Sequence, residues 1–400
     1  AYVFAIAEGN HLESVLAELR DALVGNGFTT AEAQQGIRLP DTPLLPLPVA
    51  PETVALGMRT GATWPTVFYQ AQDSQLVASS LTPAGWLGSV VATVPGSGTV
   101  ALRSQAAPAG QVGVAWQLNN MLGMVQSSRY GWQSNSPGTI TSPMSQGASA
   151  ADLAYLSNGR PVMAYADGGT VQLRVNDGLT WNSDVVSVMP GGSSKSYASI
   201  ATDSQDRLGV AYAESGMLLF ATKDIATGQW YGAEVRSGFA PSPRARISIE
   251  FGLNDRVAIS VLDNTGLSVS SFDIQTGKWG TSWLASEVFS LSDLVYDSQG
   301  RPALAYVAAG PSNPEIHYVI HDGSGWVDSV LPAGVDAASG LNVTPLSTSI
   351  GVALAFDGED LPVIAYKANG TLVLAYDPVV VPEPASLVML LVGLVLVRRR

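Results

Sequence analysis

One motif returns along this chain at a step near 47 residues, and no other feature limits its fold so tightly. The clear copies are GRPVMAYADGG from Gly159, DRLGVAYAESG from Asp206, DRVAISVLDNTG from Asp255, GRPALAYVAAG from Gly300 and EDLPVIAYKANG from Glu359. Weaker copies start at Trp64 and Gly110. Aligning the aromatic position gives Tyr69, Trp116, Tyr165, Tyr212, Ser260, Tyr306 and Tyr366, with steps of 47, 49, 47, 48, 46 and 60. A tryptophan trails six of these positions by 16 to 20 residues: Trp86, Trp132, Trp181, Trp230, Trp279 and Trp326.

Within one copy, short apolar runs alternate with Gly, Asn, Asp and Ser. The third copy divides into Leu153–Tyr155, Pro161–Tyr165, Val171–Val175 and Trp181–Val188. Such runs read as strands, and four strands per repeat is the spacing of a propeller. A helical solenoid would show a 3.6-residue period, which is missing. A lone four-stranded sheet cannot bury both faces, but sheets packed around an axis can. The expected fold is therefore all-β: a seven-bladed β-propeller over residues 53–376. It carries a short N-terminal helical segment and a C-terminal hydrophobic sorting helix. Tyr165, Tyr212, Tyr306 and Tyr366 fall on second strands, each beside a small residue that lets neighbouring sheets approach. The tryptophans open fourth strands and are expected to plug the seams between blades. The seventh copy supplies only three strands, and Tyr2–Ala7 is the expected fourth, closing the ring.

Residues 1–50 form a separate stretch. Asn10 and Glu13 fit the two ends of a helix-capping arrangement. Leu12, Val15, Leu16, Leu19 and Leu23 then make an apolar stripe that Gly25 and Gly27 end. Five prolines between Pro40 and Pro51 read as an extended linker. The chain starts at Ala1 without a leader pattern, so its N-terminus reads as incomplete or processed. Only 13% of residues are charged, and the net charge of −13 disfavours nucleic acid as a partner. There is no cysteine and there are three histidines, which leaves carboxylates and tyrosines as the main proton-transfer groups.

The last segment stands apart. Ala385 to Val397 is apolar or small throughout, and Arg398, Arg399 and Arg400 follow. As a helix it spans roughly 20 Å, short of the roughly 30 Å of a hydrocarbon core. Terminal positive charge favours a cytoplasmic end, with the globular part outside. Val381, Pro382, Glu383, Pro384 and Ala385, then the apolar span, then the arginines, resemble a PEP-CTERM sorting signal. That resemblance covers about the last 20 residues. It implies a Gram-negative exopolysaccharide producer and transient contact with the inner membrane. It further implies an exosortase that recognises Pro382–Pro384, cleaves the tail and leaves the protein at the cell surface or outside.

Other motifs favour scaffold over chemistry. NDGLTWNSD at Asn176 resembles the Asp-box turn of sialidase/BNR-like propellers, and the turns at Asp224, Asp273 and Asp322 are looser relatives. Ile37–Pro40 resembles the arginine motif near the start of sialidases, but Arg160, Arg207, Arg256 and Arg301 recur at one phase of the repeat. Recurrence in every blade marks scaffold, since an active site breaks the symmetry. Each arginine is expected to pair with a local Asp or cap its turn. Asp203–Asp206 and Asp297–Gly300 read as β-turns. Asp357–Asp360 is the densest acidic spot and the best Ca²⁺ candidate. His317 and His321 share a strand face without a third ligand. No catalytic residue, metal or cofactor is assigned. The expected protein is an exported monomer, a non-catalytic surface or matrix component that binds a polysaccharide or a matrix protein. The alternative is a secreted glycoside hydrolase or lyase using axial carboxylates.

Overall fold

The computed structural model describes residues 54–376, less the stretches 59–64, 95–100, 140–150, 187–194 and 332–350 and a few shorter turns. The proposed clasp Tyr2–Ala7, the helix after Asn10, Ile37–Pro40 and the sorting signal lie outside the described residues.

Seven antiparallel sheets form seven blades. Blade one is β1 (Val54–Met58), β2 (Pro65–Gln70), β3 (Gln75–Thr82) and β4 (Gly85–Thr93). Blade two is β5 (Ala101–Ala106), β6 (Val112–Leu118), β7 (Met121–Ser128) and β8 (Gly131–Thr139). Blade three is β9 (Asp152–Tyr155), β10 (Pro161–Asp167), β11 (Thr170–Asn176) and β12 (Trp181–Val185). Blade four is β13 (Lys195–Thr202), β14 (Leu208–Glu214), β15 (Met217–Lys223) and β16 (Trp230–Ser237). Blade five is β17 (Arg246–Phe251), β18 (Val257–Asp263), β19 (Gly266–Asp273) and β20 (Lys278–Ala285). Blade six splits its inner strand into β21 (Val288–Leu291) and β22 (Val295–Tyr296), before β23 (Pro302–Ala309), β24 (Pro314–His321) and β25 (Trp326–Leu331). Blade seven shows β26 (Val352–Phe356), β27 (Pro362–Ala368) and β28 (Thr371–Tyr376).

Every seam between blades holds one apolar cluster. The closing seam joins Val54, Leu56, Val67 and Tyr69 of blade one to Ala353, Ala355, Val363 and Ala365 of blade seven. The alternation of strands explains the pattern, because successive side chains face opposite neighbours. On the second strands, the aromatic faces the preceding blade and the small residue before it faces the next. Tyr212 therefore shares a seam with Ala164, and Tyr366 shares one with Ala305. In blade two, Trp116 lies over Gly123, its cross-strand partner, where a Cβ would collide with the indole.

One alignment from the sequence is corrected. The counterpart of Tyr212 in blade five is Val261, which packs in the seam with blade four. Ser260 lies on the other face, opposite Ser248. A slip of one residue moves a strand position to the opposite face. The sequence alignment matched letters, whereas the turn at Arg256 fixes the count. That seam is filled instead by Phe220, Phe251 and Phe272, with Phe220 and Phe251 ring centres 6.5 Å apart.

The turn between the first and second strands carries the recurring charges. Asp203 accepts from the Gln205 and Arg207 N–H groups and pairs with the Arg207 side chain at 2.5 Å. Asp297 does the same for Gln299 and Arg301. The fourth turn residue has positive φ, at Asp206, Asp255 and Asp360 or at Gly110, Gly159 and Gly300.

Candidate functional site: an axial polar cavity

The innermost strands surround the axis, and one position per strand builds a ring. Its members are Ala55, Arg103, Asp152, Ser199, Ser248 and Ala353, each opposite the second-strand residue that precedes the seam aromatic or its counterpart, a small residue in every case but Phe68 of blade one. Ser292 completes the ring, donating its N–H to the Ala305 carbonyl and accepting the Ala305 N–H at its hydroxyl, both at 2.8 Å. Blades two to six thus place a polar group here, and blades one and seven place alanine. The polar members bond across the seams. Ser199 donates to Asp152, the Ile249 N–H reaches Ser199 Oγ at 3.1 Å, and the Leu294 N–H reaches Ser248 Oγ at 3.0 Å.

The break between β21 and β22 turns Asp293 toward the axis. Its carboxylate pairs with Arg103 of blade two and with Arg246 of blade five, the latter at 2.6 Å. Arg103 also donates to the Ile247 carbonyl at 3.3 Å. Three blades are therefore tied across the axis by one carboxylate and two guanidinium groups. The Arg103 side chain is 2% exposed. Burial pulls both arginines down from their usual range, and the proximity of Arg103 lowers Arg246 further. Asp152 opposes this at both.

Beside this knot lies a cavity of 370 Å³. Its polar lining includes Gln105, Asp152, Glu250, Asp293, Tyr296 and Asp357 beside Ser104 and Ser248, and neither arginine is among the lining residues. Gly57 lines it with backbone alone, and a Cβ there would collide with Val112 in the seam between blades one and two. Glu250 projects from β17 and hydrogen-bonds to Gln105 of β5, so its carboxyl spans from blade five to blade two. Burial pushes the Glu250 carboxyl up to about 8. The Phe251 N–H, at 3.2 Å, opposes the rise, the Asp152 charge adds to it, and Gln105 opposes it. At neutral pH this carboxyl is mostly protonated and can donate. Burial, and next the nearby Glu250, also raise Tyr296 above the usual phenol range.

Asp152 differs from Glu250. One of its oxygens accepts from Ser199 and from the Ile200 N–H at 3.0 Å, and the other accepts the Leu153 N–H at 2.9 Å. It is an engaged structural acceptor. Of these two neighbouring carboxyls, Glu250 is the one that burial favours as neutral, and Asp152 is committed to its three donors.

The residues singled out from the sequence sit elsewhere. Tyr165, Tyr212, Tyr306 and Tyr366 are buried in seams. Trp132, Trp181, Trp230, Trp279 and Trp326 are half-buried and pack against the cluster shared with the preceding blade. Trp132 meets Phe68 of blade one edge-on at 5.5 Å. Trp86 lies in β4. Asp177 accepts from the Leu179 and Thr180 N–H groups, and these bonds hold its carboxyl well below the usual range. Asp360 accepts from Ser298 and Asp357 accepts from the Leu361 N–H, so that acidic turn is used internally. His317 stacks on Tyr306 at 4.7 Å and bonds Asp328 at 3.0 Å, while His321 meets Trp326 edge-on. Among the described residues, no cluster of three metal-ligating side chains forms.

Fold and site together define a seven-bladed propeller with a closed polar axis. Comparison with solved structures agrees on the fold. The chain is similar to AofleA from Arthrobotrys oligospora at 12% identity, over 72% of this chain and 88% of that one, with a TM-score of 0.50. It is similar to an Aleuria aurantia lectin mutant in complex with alpha-methyl-L-fucoside at 14% identity, over 72% and 99%, with a TM-score of 0.49. A protein of unknown function from Dyadobacter fermentans aligns at 13% identity, over 71% and 95%, with a TM-score of 0.46. At these identities the similarity concerns the fold alone. No family model and no curated protein matches the sequence.

Proposed function

We propose that this protein is an exported propeller that binds carbohydrate without cleaving it, and that its C-terminal tail directs its sorting. The reading is carried by how the carboxylates are used. Turn aspartates are tied to neighbouring arginines, serines and backbone N–H groups, and Asp293 is tied to two arginines. Among the groups that line a concavity of ligand size is the Glu250–Gln105 pair, an arrangement suited to hydroxyl groups.

A hydrolase is the second reading, favoured by the raised Glu250 carboxyl beside Asp152. Glycoside hydrolysis needs a second carboxylate free to act as base or nucleophile. Asp152 has three donors on its two oxygens and is poorly placed for that role.

Export rests on the resemblance of Val381–Ala385 and Arg398–Arg400 to a PEP-CTERM signal. A glycan array and a pull-down from exopolysaccharide, run beside a reducing-end assay, test the binding reading. Retention without cleavage is expected. Cleavage abolished by Glu250→Gln would replace the binder with an enzyme. Intact mass of the protein from culture medium tests the sorting, and a mature extracellular form still ending at Arg400 would refute it.

A further inference from the structure

We propose that the axial cavity takes a single uncharged, polyhydroxylated unit the size of a hexose, recognised by the Glu250 carboxyl as donor and by the Gln105 amide, and that it turns away carboxylated sugars. This rests on the carbohydrate-binding reading and adds the place, the ligand class and the control.

Size comes first. The cavity measures 370 Å³, at the small end of ligand pockets. Leu56, Met58, Leu354 and Phe356 are among its apolar lining, and Gln105, Asp152 and Tyr296 stand near Glu250. Apolar walls with a few placed polar groups suit a sugar ring, which has both kinds of surface.

Charge decides the class. Asp152, Asp293 and Asp357 face the cavity from β9, the β21–β22 break and the turn after β26. Arg103 and Arg246 are bound to Asp293 and do not line it. Arg256 lies beyond Tyr296, whose hydroxyl donates to the Arg256 carbonyl at 3.3 Å. Among the described residues, a carboxylated ligand would meet carboxylates and no free cation. An uncharged ligand avoids that repulsion and can accept from protonated Glu250.

Control follows from the same groups. Ionised Glu250 loses its donor and adds negative charge near Asp152. Its carboxyl is held at about 8 by burial. If only the protonated form binds, affinity at pH 9.5 falls about thirtyfold relative to pH 6.5.

Calorimetric titration of the full chain with glucose, galactose, mannose, fucose, N-acetylglucosamine and glucuronate, at pH 6.5 and 9.5, tests this. Glu250→Gln is run beside it, since Gln cannot ionise and still carries a donor. The expected result is binding of at least one uncharged sugar at pH 6.5, a fall of about thirtyfold at pH 9.5, and no glucuronate binding. Glu250→Gln should show no alkaline fall. A carboxyl-labelled glutamate NMR titration gives an independent readout, in which bound sugar should raise the Glu250 midpoint. Three outcomes overturn the proposal: an equal alkaline fall in Glu250→Gln, glucuronate as the tightest ligand, or no sugar moving the Glu250 midpoint. If polysaccharide is retained nonetheless, only the cavity assignment fails. If polysaccharide is not retained either, the carbohydrate-binding reading fails with it.

Discussion

Ser204 of blade four donates to Asp255 of blade five through both its N–H, at 2.8 Å, and its hydroxyl, at 2.9 Å. The same double bond joins Ser157 to Asp206 and Ser298 to Asp360. Each links the second turn residue of one blade to the fourth turn residue of the next. Between blades five and six the two positions hold Leu253 and Gly300, and the Gly300 Cα side abuts Leu253 where a Cβ would sit 3.0 Å away. Serine therefore goes with aspartate, and leucine goes with glycine.

That pairing is testable by a double-mutant cycle. Ser204→Ala should cost about 1–2 kcal/mol, because a charge-assisted bond is lost while Asp255 stays in a left-handed turn. Ser204→Leu combined with Asp255→Gly should recover part of the loss, as Leu253 and Gly300 do. Urea midpoints measure both. Purely additive effects of the two substitutions would show that the positions are not coupled.

Asp293 holds two buried arginines, so Asp293→Ala should be far costlier than removal of an exposed carboxylate. Breaking a buried pair costs about 3–5 kcal/mol. Arg103→Met in the same chain should recover part of it, because one of the two uncompensated charges is then gone while Arg246 remains. Thermal and urea unfolding give the comparison. A milder effect than that of Asp184→Ala, whose pair with Lys223 lies on the outer strands, would contradict the knot.

Glu250 makes stability depend on pH in a stated direction. Its carboxyl stands at about 8 in the fold and near 4.3 in the unfolded chain. The folded state therefore holds a proton that the unfolded state releases. Its contribution is complete below the unfolded value and declines as pH rises toward 8, and it is gone above that. Relative to Glu250→Gln, the native chain should lose a few kcal/mol between pH 5 and pH 9, at about 1.4 kcal/mol per unit. Parallel stability curves for the two proteins would rule out the shift.

Blade seven shows three strands, and β28 is the last of them among the described residues. Deleting residues 2–7 should speed hydrogen exchange in β28 and leave β14 and β18 little changed. Equal protection of β28 with and without that segment would reject Tyr2–Ala7 as its partner.

The scaffold was legible because its signals recur. Alternating runs between turn residues placed the strands of blade three within about two residues of their observed ends, apart from the last, and marked the tyrosine phase. The slip at Ser260 came from an aromatic replaced by Val261, which removed the marker at the point where one residue changes the face. The axial site was not legible. Arg103, Arg246, Glu250 and Asp293 come from three blades, and no periodicity joins residues that meet across an axis. A weak signal was present in ARISIEF at 245–251, where Arg246 and Glu250 interrupt an inner strand at even spacing. The Asp293 turn could not be foreseen, because it depends on a strand break between Leu291 and Val295.

The packing of Val54, Leu56 and Tyr69 on Ala353 and Ala365 has a kinetic consequence. In a linear array an end unit frays by losing one interface. Here the first and last blades also hold each other, so releasing any blade requires two interfaces to open together. The ring should therefore resist partial opening and protease entry more than the strength of a single seam suggests, and it should come apart as a whole when it fails.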